Sequence, residues 1–266
     1  MPPILLHIYG PIAIHSFGAM IVLGLMITLY LLHRDKPLQN LISEQQLTTI
    51  FQISFISGIA GGRIWFLMLN SSMMTHWTDY FSVWSGGLSI LGAVIAIIGT
   101  LSIYFFYTKL PTLRLLDRLA LYTPLLQSIS RLGCLFAGCC YGKPTHLPWG
   151  IMYENYDSLA PLHIKLHPSQ MYSSLFLACS FILLLCFDRF YHYKKPGQIL
   201  ALYIMLISLD RFIIDFFRGD REFFIQPNEW LFGNLSIQQT LALWMFLGAL
   251  IMMIFVTIYK KSDESI

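Results

Sequence analysis

The sequence predicts an all-α membrane protein with seven transmembrane helices and a small cap outside the membrane. Of its 266 residues, 56% are hydrophobic and only 12% are charged, and the mean hydropathy is +0.63. A soluble domain of this length has too little interior to hide so much apolar surface. The apolar residues are also gathered into runs of about twenty, the length of a helix that crosses a bilayer.

Seven such runs are predicted as spans, over residues 12–33, 47–69, 84–107, 117–137, 169–189, 197–217 and 237–259. The first has no basic segment before it and is too long for the apolar region of a signal peptide, so it should be retained. The fourth is the most polar, since it carries Asp117, Arg118, Pro124 and Arg131. A helix of that composition should face protein or water rather than lipid.

The positions of Lys and Arg predict the orientation, because these residues collect in cytoplasmic loops. One set of alternate loops holds ten of the 17, the other set holds four, and three lie inside spans. The N-terminus is therefore predicted outside and the C-terminus inside. The net charge of +3 suits contact with anionic lipid headgroups and requires no nucleic-acid partner.

The loops are unequal in length, and residues 138–168 form the longest outside connection. Segments of about thirty residues are usually functional or disordered, and the Pro, Gly and aromatic content of this one favours a small ordered cap. No repeat or linker divides the chain, so residues 1–266 are predicted as a single integral membrane domain.

Three arginines, Arg63, Arg131 and Arg211, lie inside predicted spans. A guanidinium stays charged, so placing it in hydrocarbon costs several kcal/mol unless an anion, a carboxylate or water meets it. Each is therefore a candidate site for an anionic ligand. The structural alternative for the last two is an ion pair with a nearby carboxylate, namely Asp117, Asp210 or Asp215.

Six short motifs follow one another along most of the chain. They are GPIAIH at 10–15, GGRI at 61–64, VWSGGLS at 83–89, RLG at 131–133, HPSQMY at 167–172 and RFIIDFFR at 211–218. In order and spacing they resemble the motifs of the prolipoprotein diacylglyceryl transferases, over about residues 10–255.

The resemblance implies a multi-pass enzyme of the bacterial cell inner membrane that acts in lipoprotein biosynthesis, with its cap in the periplasm. Such an enzyme moves the diacylglyceryl group of phosphatidylglycerol to the thiol of a lipobox cysteine in a preprolipoprotein and releases glycerol phosphate. Its implied partners are phosphatidylglycerol, the lipobox of the signal peptide and membrane lipid. The family uses no metal or organic cofactor.

The resemblance also assigns roles residue by residue. Arg131 matches the signature arginine associated with the phosphatidylglycerol headgroup, and Arg211 matches the other essential arginine. His167 is a candidate to orient a headgroup or relay a proton. The further substrate-binding candidates are Arg63, His15, Gly86, Gly87, Ser169, Gln170, Tyr172, Asp215 and Arg218.

These candidates also have structural interpretations. Arg211, Asp215 and Arg218 should share one helix face, so that Asp215 either positions or neutralises Arg211. His15 and His167 suit hydrogen bonds to backbone carbonyls at the interface. The glycines favour close helix packing. Asp210 should lie on a different face from Arg211 and make a contact between helices.

The chain departs from the family pattern at important positions. Leu91 stands where the family has a histidine cast as the base, and Cys134 and Cys139 replace the signature asparagine and glutamate. Two hypotheses remain. One is a divergent transferase whose base is His167, His15 or the substrate's own environment. The other is a paralogue that keeps the lipid site as a non-catalytic phospholipid-binding or transport protein.

The five cysteines allow several interpretations. Cys134, Cys139 and Cys140 lie near the oxidising side, where a disulfide can form. Their spacing lacks the partner pair of a zinc site, so no metal is predicted, and Cys139 as a thiol nucleophile is the less favoured possibility. Cys179 and Cys186 are expected to be small core residues.

Overall fold

A computed structural model of the chain describes residues 4–9, 12–70, 89–191, 195–219 and 235–259. These residues are mostly helical, as predicted. The helices are α1 (Ser16–His33), α2 (Lys36–Gln39), α3 (Glu44–Leu69), α4 (Ile90–Thr108), α5 (Thr112–Ala137), α6 (Ser169–Phe190), α7 (Gln198–Asp215) and α8 (Ile237–Tyr259).

Five of these helices, α1, α3, α4, α6 and α8, are long and apolar enough to cross a membrane. Their exposed surfaces carry many large apolar side chains, which suits contact with lipid tails. Helices α5 and α7 coincide with predicted spans but carry more charge than the other five. The chain is thus a helical multi-pass membrane protein.

The first predicted span begins too early. Residues 12–15 do not join the helix, because strand β2 (Ile12–His15) pairs antiparallel with strand β1 (Ile4–Tyr9). Branched Ile12 and Ile14 alternate with other residues, a pattern that suits a strand. The third span likewise begins later than predicted, at Ile90, where the Ser89 side chain accepts a hydrogen bond from the backbone N–H of Gly92. Residues 84–88 of that prediction lie outside the described residues.

The chain divides into two compact units, and the single-domain interpretation stays a prediction. The first unit combines Met1–Arg34 with Leu116–Ile266, and the second covers Asp35–Leu115. The second unit contains α3 and α4, which pack closely at glycines. A Cβ atom on Gly61 would lie 2.7 Å from the carbonyl oxygen of Gly92, so no larger residue fits without a shift. Gly61 thus allows the close helix packing expected of the glycines.

In the first unit, several polar residues of α5 bond to neighbouring helices. Asp117 accepts hydrogen bonds from the backbone N–H groups of Gly197 at 2.6 Å and Leu200 at 2.8 Å, and so caps the start of α7. Arg118 pairs with Asp188 of α6 at 2.9 Å. Helix α5 therefore faces protein, as its composition predicts.

The cap is an ordered segment with a small core of its own. Strands β3 (Ile151–Met152) and β4 (Lys165–Leu166) pair antiparallel, and Tyr153, Ala160 and Leu166 are buried together. The hydroxyl of Tyr153 donates a 3.0 Å hydrogen bond to the carbonyl oxygen of Leu135. The cap is thereby tied to the last turns of α5.

Candidate functional site

A small cavity in the first unit is lined by α5, α6, α7 and the turn that follows α5. Its charged and polar lining includes Arg131, Cys140, Ser173, Asp210, Arg211 and Arg218. Arg131 and Arg211, which the sequence identified as candidate sites for an anionic ligand, thus meet at one cavity. The cavity has a volume of about 10 Å³, which is room for about one water molecule.

Arg218 reaches the cavity because the backbone beyond α7 pairs with the backbone beyond α5. The N–H of Lys143 donates to the carbonyl oxygen of Phe217 at 2.8 Å, and the N–H of Gly219 donates to that of Tyr141 at 3.0 Å. Arg218 lies between these two bonds. Arg211 and Arg218 both line the cavity, but they do not share a helix face as predicted, because α7 ends at Asp215 and Arg218 lies in the segment that follows it.

Asp215, the third residue of the predicted face, makes a contact outside the cavity. It is 1% exposed, and its Oδ2 accepts a hydrogen bond from the Ser236 hydroxyl at 2.5 Å, just before α8 begins. It is not among the lining residues of the cavity. One role of Asp215 is therefore to fix the end of α7 to the start of α8.

Among the described residues that line the cavity, positively charged groups outnumber negatively charged ones. Three guanidinium groups line it together with one carboxylate, that of Asp210. Within the part of the chain that the structure describes, neither Arg131 nor Arg211 forms an ion pair with a carboxylate. Two of the candidate structural partners are engaged elsewhere, since Asp117 caps α7 and Asp215 bonds Ser236.

Asp210 is a residue whose functional potential the sequence did not reveal. It is 2% exposed, and its Oδ2 accepts a 2.9 Å hydrogen bond from the Ser173 hydroxyl of α6. The predicted helix–helix contact is therefore confirmed. The same carboxylate also lines the cavity, and its buried Oδ1 has no hydrogen-bond partner among the described residues.

The polar residues in the middle of the HPSQ motif hold the turn after α5. The Ser169 hydroxyl donates to the carbonyl oxygen of Cys140 at 2.8 Å, and the Gln170 side-chain amide donates to that of Cys139 at 2.8 Å. Both side chains are buried and also line the cavity. The motif thus fixes the backbone that carries Cys140 into the site.

His167 and Tyr172, at the ends of the motif, belong to an aromatic cluster beside the cap. The Nδ1 atom of His167 lies 3.3 Å from the Tyr172 hydroxyl, which also accepts a 2.8 Å hydrogen bond from the indole N–H of Trp149. The ring of Phe217 lies 5.6 Å from each of the other two rings, measured between centroids. Neither His167 nor Tyr172 is a lining residue of the cavity.

Three cysteines are brought together beside Arg131. The sulfur atoms of Cys134, Cys139 and Cys140 all lie within 4.8 Å of one another, as free thiols rather than a disulfide. Cys140 has a φ of 57°, a backbone conformation that non-glycine residues rarely adopt. Hydrogen bonds from the other two thiols, and then the charges of Arg218 and Arg131, lower the pKa of Cys140.

The other two cysteines were interpreted wrongly. Cys179 and Cys186 are exposed on α6 rather than buried in the core. Because α6 is a candidate span, its outward surface suits lipid, and a small apolar residue serves there as well as in an interior.

Of the remaining candidates, His15 belongs to the first unit and is not a lining residue of the cavity. Arg63, in the second unit, is 7% exposed, and its guanidinium lies 5.5 Å from the centre of the Phe66 ring. His15 is exposed at the start of α1. Leu91 is 57% exposed on α4. Gly86 and Gly87 lie outside the described residues.

The chain is similar over most of its length to known proteins of one family. The family model for prolipoprotein diacylglyceryl transferase matches residues 3–255. The chain is 32% identical over 242 residues to a phosphatidylglycerol–prolipoprotein diacylglyceryl transferase of Clostridium tetani, with 90% of each chain covered. It is 30% identical to a second such transferase of Clostridium perfringens, with 92% of each covered. Identity to the transferase of Thermotoga maritima is 28%, over 88% of this chain and 78% of the relative.

Proposed function

The chain belongs to the prolipoprotein diacylglyceryl transferase family, and we propose that it transfers the diacylglyceryl group of phosphatidylglycerol to the lipobox cysteine of preprolipoproteins. Glycerol phosphate is the second product. The sulfur of the lipobox cysteine displaces the phosphate at a glycerol carbon, so a thioether bond forms and a carbon–oxygen bond breaks.

The observation that carries this proposal is the meeting of Arg131, Arg211 and Arg218 at one cavity. The planar donor fork of a guanidinium matches two oxygens of a phosphate diester. As the carbon–oxygen bond breaks, the phosphate gains negative charge, and fixed cations in a partly buried site stabilise that charge. The absence of a carboxylate ion pair at Arg131 or Arg211 within the described residues leaves both available to phosphate.

The small size of the cavity implies that it opens when lipid binds. A volume of about 10 Å³ is far less than a glycerol phosphate headgroup needs. The long side chains of the three arginines are the parts most able to move, since each has several rotatable bonds. Headgroup binding therefore separates the guanidinium groups around the phosphate.

The other site residues take supporting roles in this proposal. Ser169 and Gln170 hold the Cys139–Cys140 backbone at the cavity edge. His167 and Tyr172, with Trp149, form an aromatic surface suited to the membrane interface, where a lipid headgroup and a signal peptide would approach. Asp215 positions the end of α7 between Arg211 and Arg218. Arg63, His15, Gly86 and Gly87 remain substrate-binding candidates on the family resemblance alone.

The topology in this proposal has seven spans in the bacterial inner membrane, with the N-terminus and the cap in the periplasm and the C-terminus inside. The loop charges support it, because ten Lys and Arg residues lie in the connections assigned to the cytoplasm and four in the others. Reactivity of single-cysteine variants with an impermeant thiol reagent in spheroplasts tests it. Cysteine at Glu154 of the cap should react, and cysteine at Gln39 should react only after lysis.

The enzyme assay is direct. Purified protein is incubated with phosphatidylglycerol and a lipobox peptide, and glycerol phosphate and the mass of the peptide are both measured. The proposal requires equal amounts of glycerol phosphate and diacylglyceryl-modified peptide. Lipid binding without either product would instead support the non-catalytic paralogue.

A further inference from the structure

The cavity contains an acid–base group that the family resemblance does not supply. A cysteine thiol has an ordinary pKa of about 8.5, so most lipobox thiols are protonated near neutral pH and a proton must be removed before attack. Leu91, which replaces the family's histidine, cannot accept it. His167 is held in the aromatic cluster and is not a lining residue of the cavity.

Asp210 has the position that this task requires. Its carboxylate lines the same cavity as Arg131 and Arg211, so it lies beside the place proposed for the phosphate. One oxygen, Oδ2, is fixed by the Ser173 hydroxyl at 2.9 Å. The other, Oδ1, is buried and without a hydrogen-bond partner among the described residues. A buried carboxylate oxygen left unpaired costs free energy, unless a donor from a ligand meets it.

We propose that Asp210 is the catalytic residue that accepts the proton of the lipobox thiol. The inference rests on the proposed function. The proton moves from the sulfur to Oδ1 of Asp210, and the thiolate attacks the glycerol carbon that bears the phosphate. The carbon–oxygen electron pair leaves with the phosphate, which takes the proton from Asp210 and departs as glycerol phosphate.

The charged and titratable groups that line the cavity with Asp210 fit this role. Arg131 comes from α5, Arg211 from the same helix as Asp210, Arg218 from the segment after it and Cys140 from the turn after α5. The arginines offset part of the cost of burying the carboxylate, and a bound phosphate takes up part of their charge.

A selenocysteine peptide separates proton transfer from the rest of the reaction, because a selenol is already ionised at neutral pH and needs no base. The Asp210→Asn variant keeps the shape of the side chain and loses its ability to accept a proton. With the cysteine peptide, its kcat should fall by about 100-fold or more. With the selenocysteine peptide, it should stay within a few-fold of the unmodified protein. The exposed cap residue Asp157 provides the matched control, Asp157→Asn, which should leave both rates unchanged.

Two outcomes overturn the proposal without affecting the proposed function. They are a near-normal rate of Asp210→Asn with the cysteine peptide, and an equal loss with both peptides. If Asp210→Asn does not fold, Ser173→Ala is used, and it should slow the cysteine peptide more than the selenocysteine peptide. Failure of the unmodified protein to modify either peptide refutes the proposed function, and this proposal falls with it.

The three clustered thiols support a second, independent inference. A Zn–S bond is about 2.3 Å long, so two thiolates on one zinc ion lie at most about 4.6 Å apart. The sulfur atoms of Cys134, Cys139 and Cys140 are already within 4.8 Å of one another. Spacing along the chain disfavours zinc, whereas the fold supplies three ligands at one point.

The surroundings of the thiols also suit a soft metal ion. Gln170 and Ser169 fix the backbone at Cys139 and Cys140, so the ligand atoms are held before an ion arrives. Three thiolates and one Zn²⁺ carry a net charge of −1, which the nearby Arg131 and Arg218 offset. We infer that Cys134, Cys139 and Cys140 bind one Zn²⁺ ion through their thiolates.

Metal content tests this inference without any assay of activity. The reduced protein is loaded with Zn²⁺, dialysed and analysed, and one ion per chain is expected. Substitution with Co²⁺ should give a sulfur-to-cobalt charge-transfer band. Serine at Cys134, Cys139 or Cys140 should abolish both signals, whereas Cys179→Ser and Cys186→Ser, at exposed thiols, should preserve them. Failure of the reduced protein to bind zinc, or binding that survives replacement of all three cysteines, refutes the site.

Discussion

The side-chain amide of Gln170 donates a 2.8 Å hydrogen bond to the carbonyl oxygen of Cys139, and Gln170 is only 2% exposed. This bond joins the first turn of α6 to the turn that follows α5. It gives the HPSQ motif a structural role, because the backbone fixed by Gln170 leads into the cavity at Cys140.

Gln170→Met should therefore destabilise the fold. Methionine fills a similar volume but leaves the Cys139 carbonyl oxygen without its donor, and an unsatisfied buried polar group costs about 1–3 kcal/mol. Unfolding in detergent measures the change. Gln45→Met, at an exposed position of α3, should change stability by much less. Equal stability of the two variants would show that the bond contributes nothing.

Because α3 and α4 pack closely at glycines, we expect alanine substitutions at two glycines of α4 to have opposite effects on stability. A Cβ atom on Gly92 would come 3.0 Å from the Trp65 ring and closer still to the Gly61 carbonyl oxygen, whereas one on Gly99 would meet nothing within 4 Å. Gly92→Ala should lower stability by about 1–3 kcal/mol through overpacking. Gly99→Ala should raise it by up to about 1 kcal/mol, because alanine favours the helix. Thermal unfolding of the two variants measures both changes. A Gly92→Ala protein as stable as the unmodified protein would contradict the packing described.

Tyr153 predicts a loss of stability at alkaline pH. Burial raises its pKa from 10 to about 12, so the folded protein favours the neutral phenol. That contribution is complete below pH 10 and is lost as the pH rises towards 12, because the unfolded tyrosine then ionises more readily. The stability difference between the unmodified protein and Tyr153→Phe should shrink over this interval. Tyr156→Phe, at a residue 85% exposed on the same cap, should show no such pH dependence.

His167→Gln should slow the reaction without changing how its rate depends on pH. The imidazole packs against Tyr172 and Phe217, so its loss disturbs the aromatic surface, while proton transfer is assigned to Asp210. The pH–rate profile measures this, and His146→Gln, at an exposed cap residue, is the control. Loss of one limb of the profile in the His167 variant would identify His167 as the base and contradict the assignment to Asp210.

Much of the helical structure follows from the sequence, because hydrophobic runs act locally. The seven long helices of the described residues overlap the seven predicted runs. The orientation inferred from loop charges stays a prediction. The start of the first span was predicted too early because Ile12 and Ile14 are as apolar as the residues of a membrane helix. Only pairing with β1 makes them part of a strand. The exposed Cys179 and Cys186 were misjudged for a related reason, since lipid and protein interior favour the same side chains.

The site was predictable only in part. Arg131 and Arg211 stand out because a charge inside an apolar run is costly. Arg218 was predicted on a helix, but backbone pairing beyond the end of α7 brings it to the cavity. Asp210 was hidden, since its place at the cavity depends on the packing of α6 against α7 through Ser173. The thiol cluster was hidden as well, because a turn with positive φ at Cys140 decides where the three sulfur atoms meet.

The central claim is that the guanidinium groups of the cavity bind the lipid phosphate. Glycerol phosphate release by Arg131→Ala and Arg211→Ala tests it most directly, with Arg189→Ala at an exposed position as the control. Each cavity variant should remain folded and detergent-soluble and should lose at least about 100-fold in turnover, while the control keeps its rate. A near-normal rate in either folded cavity variant would contradict the account.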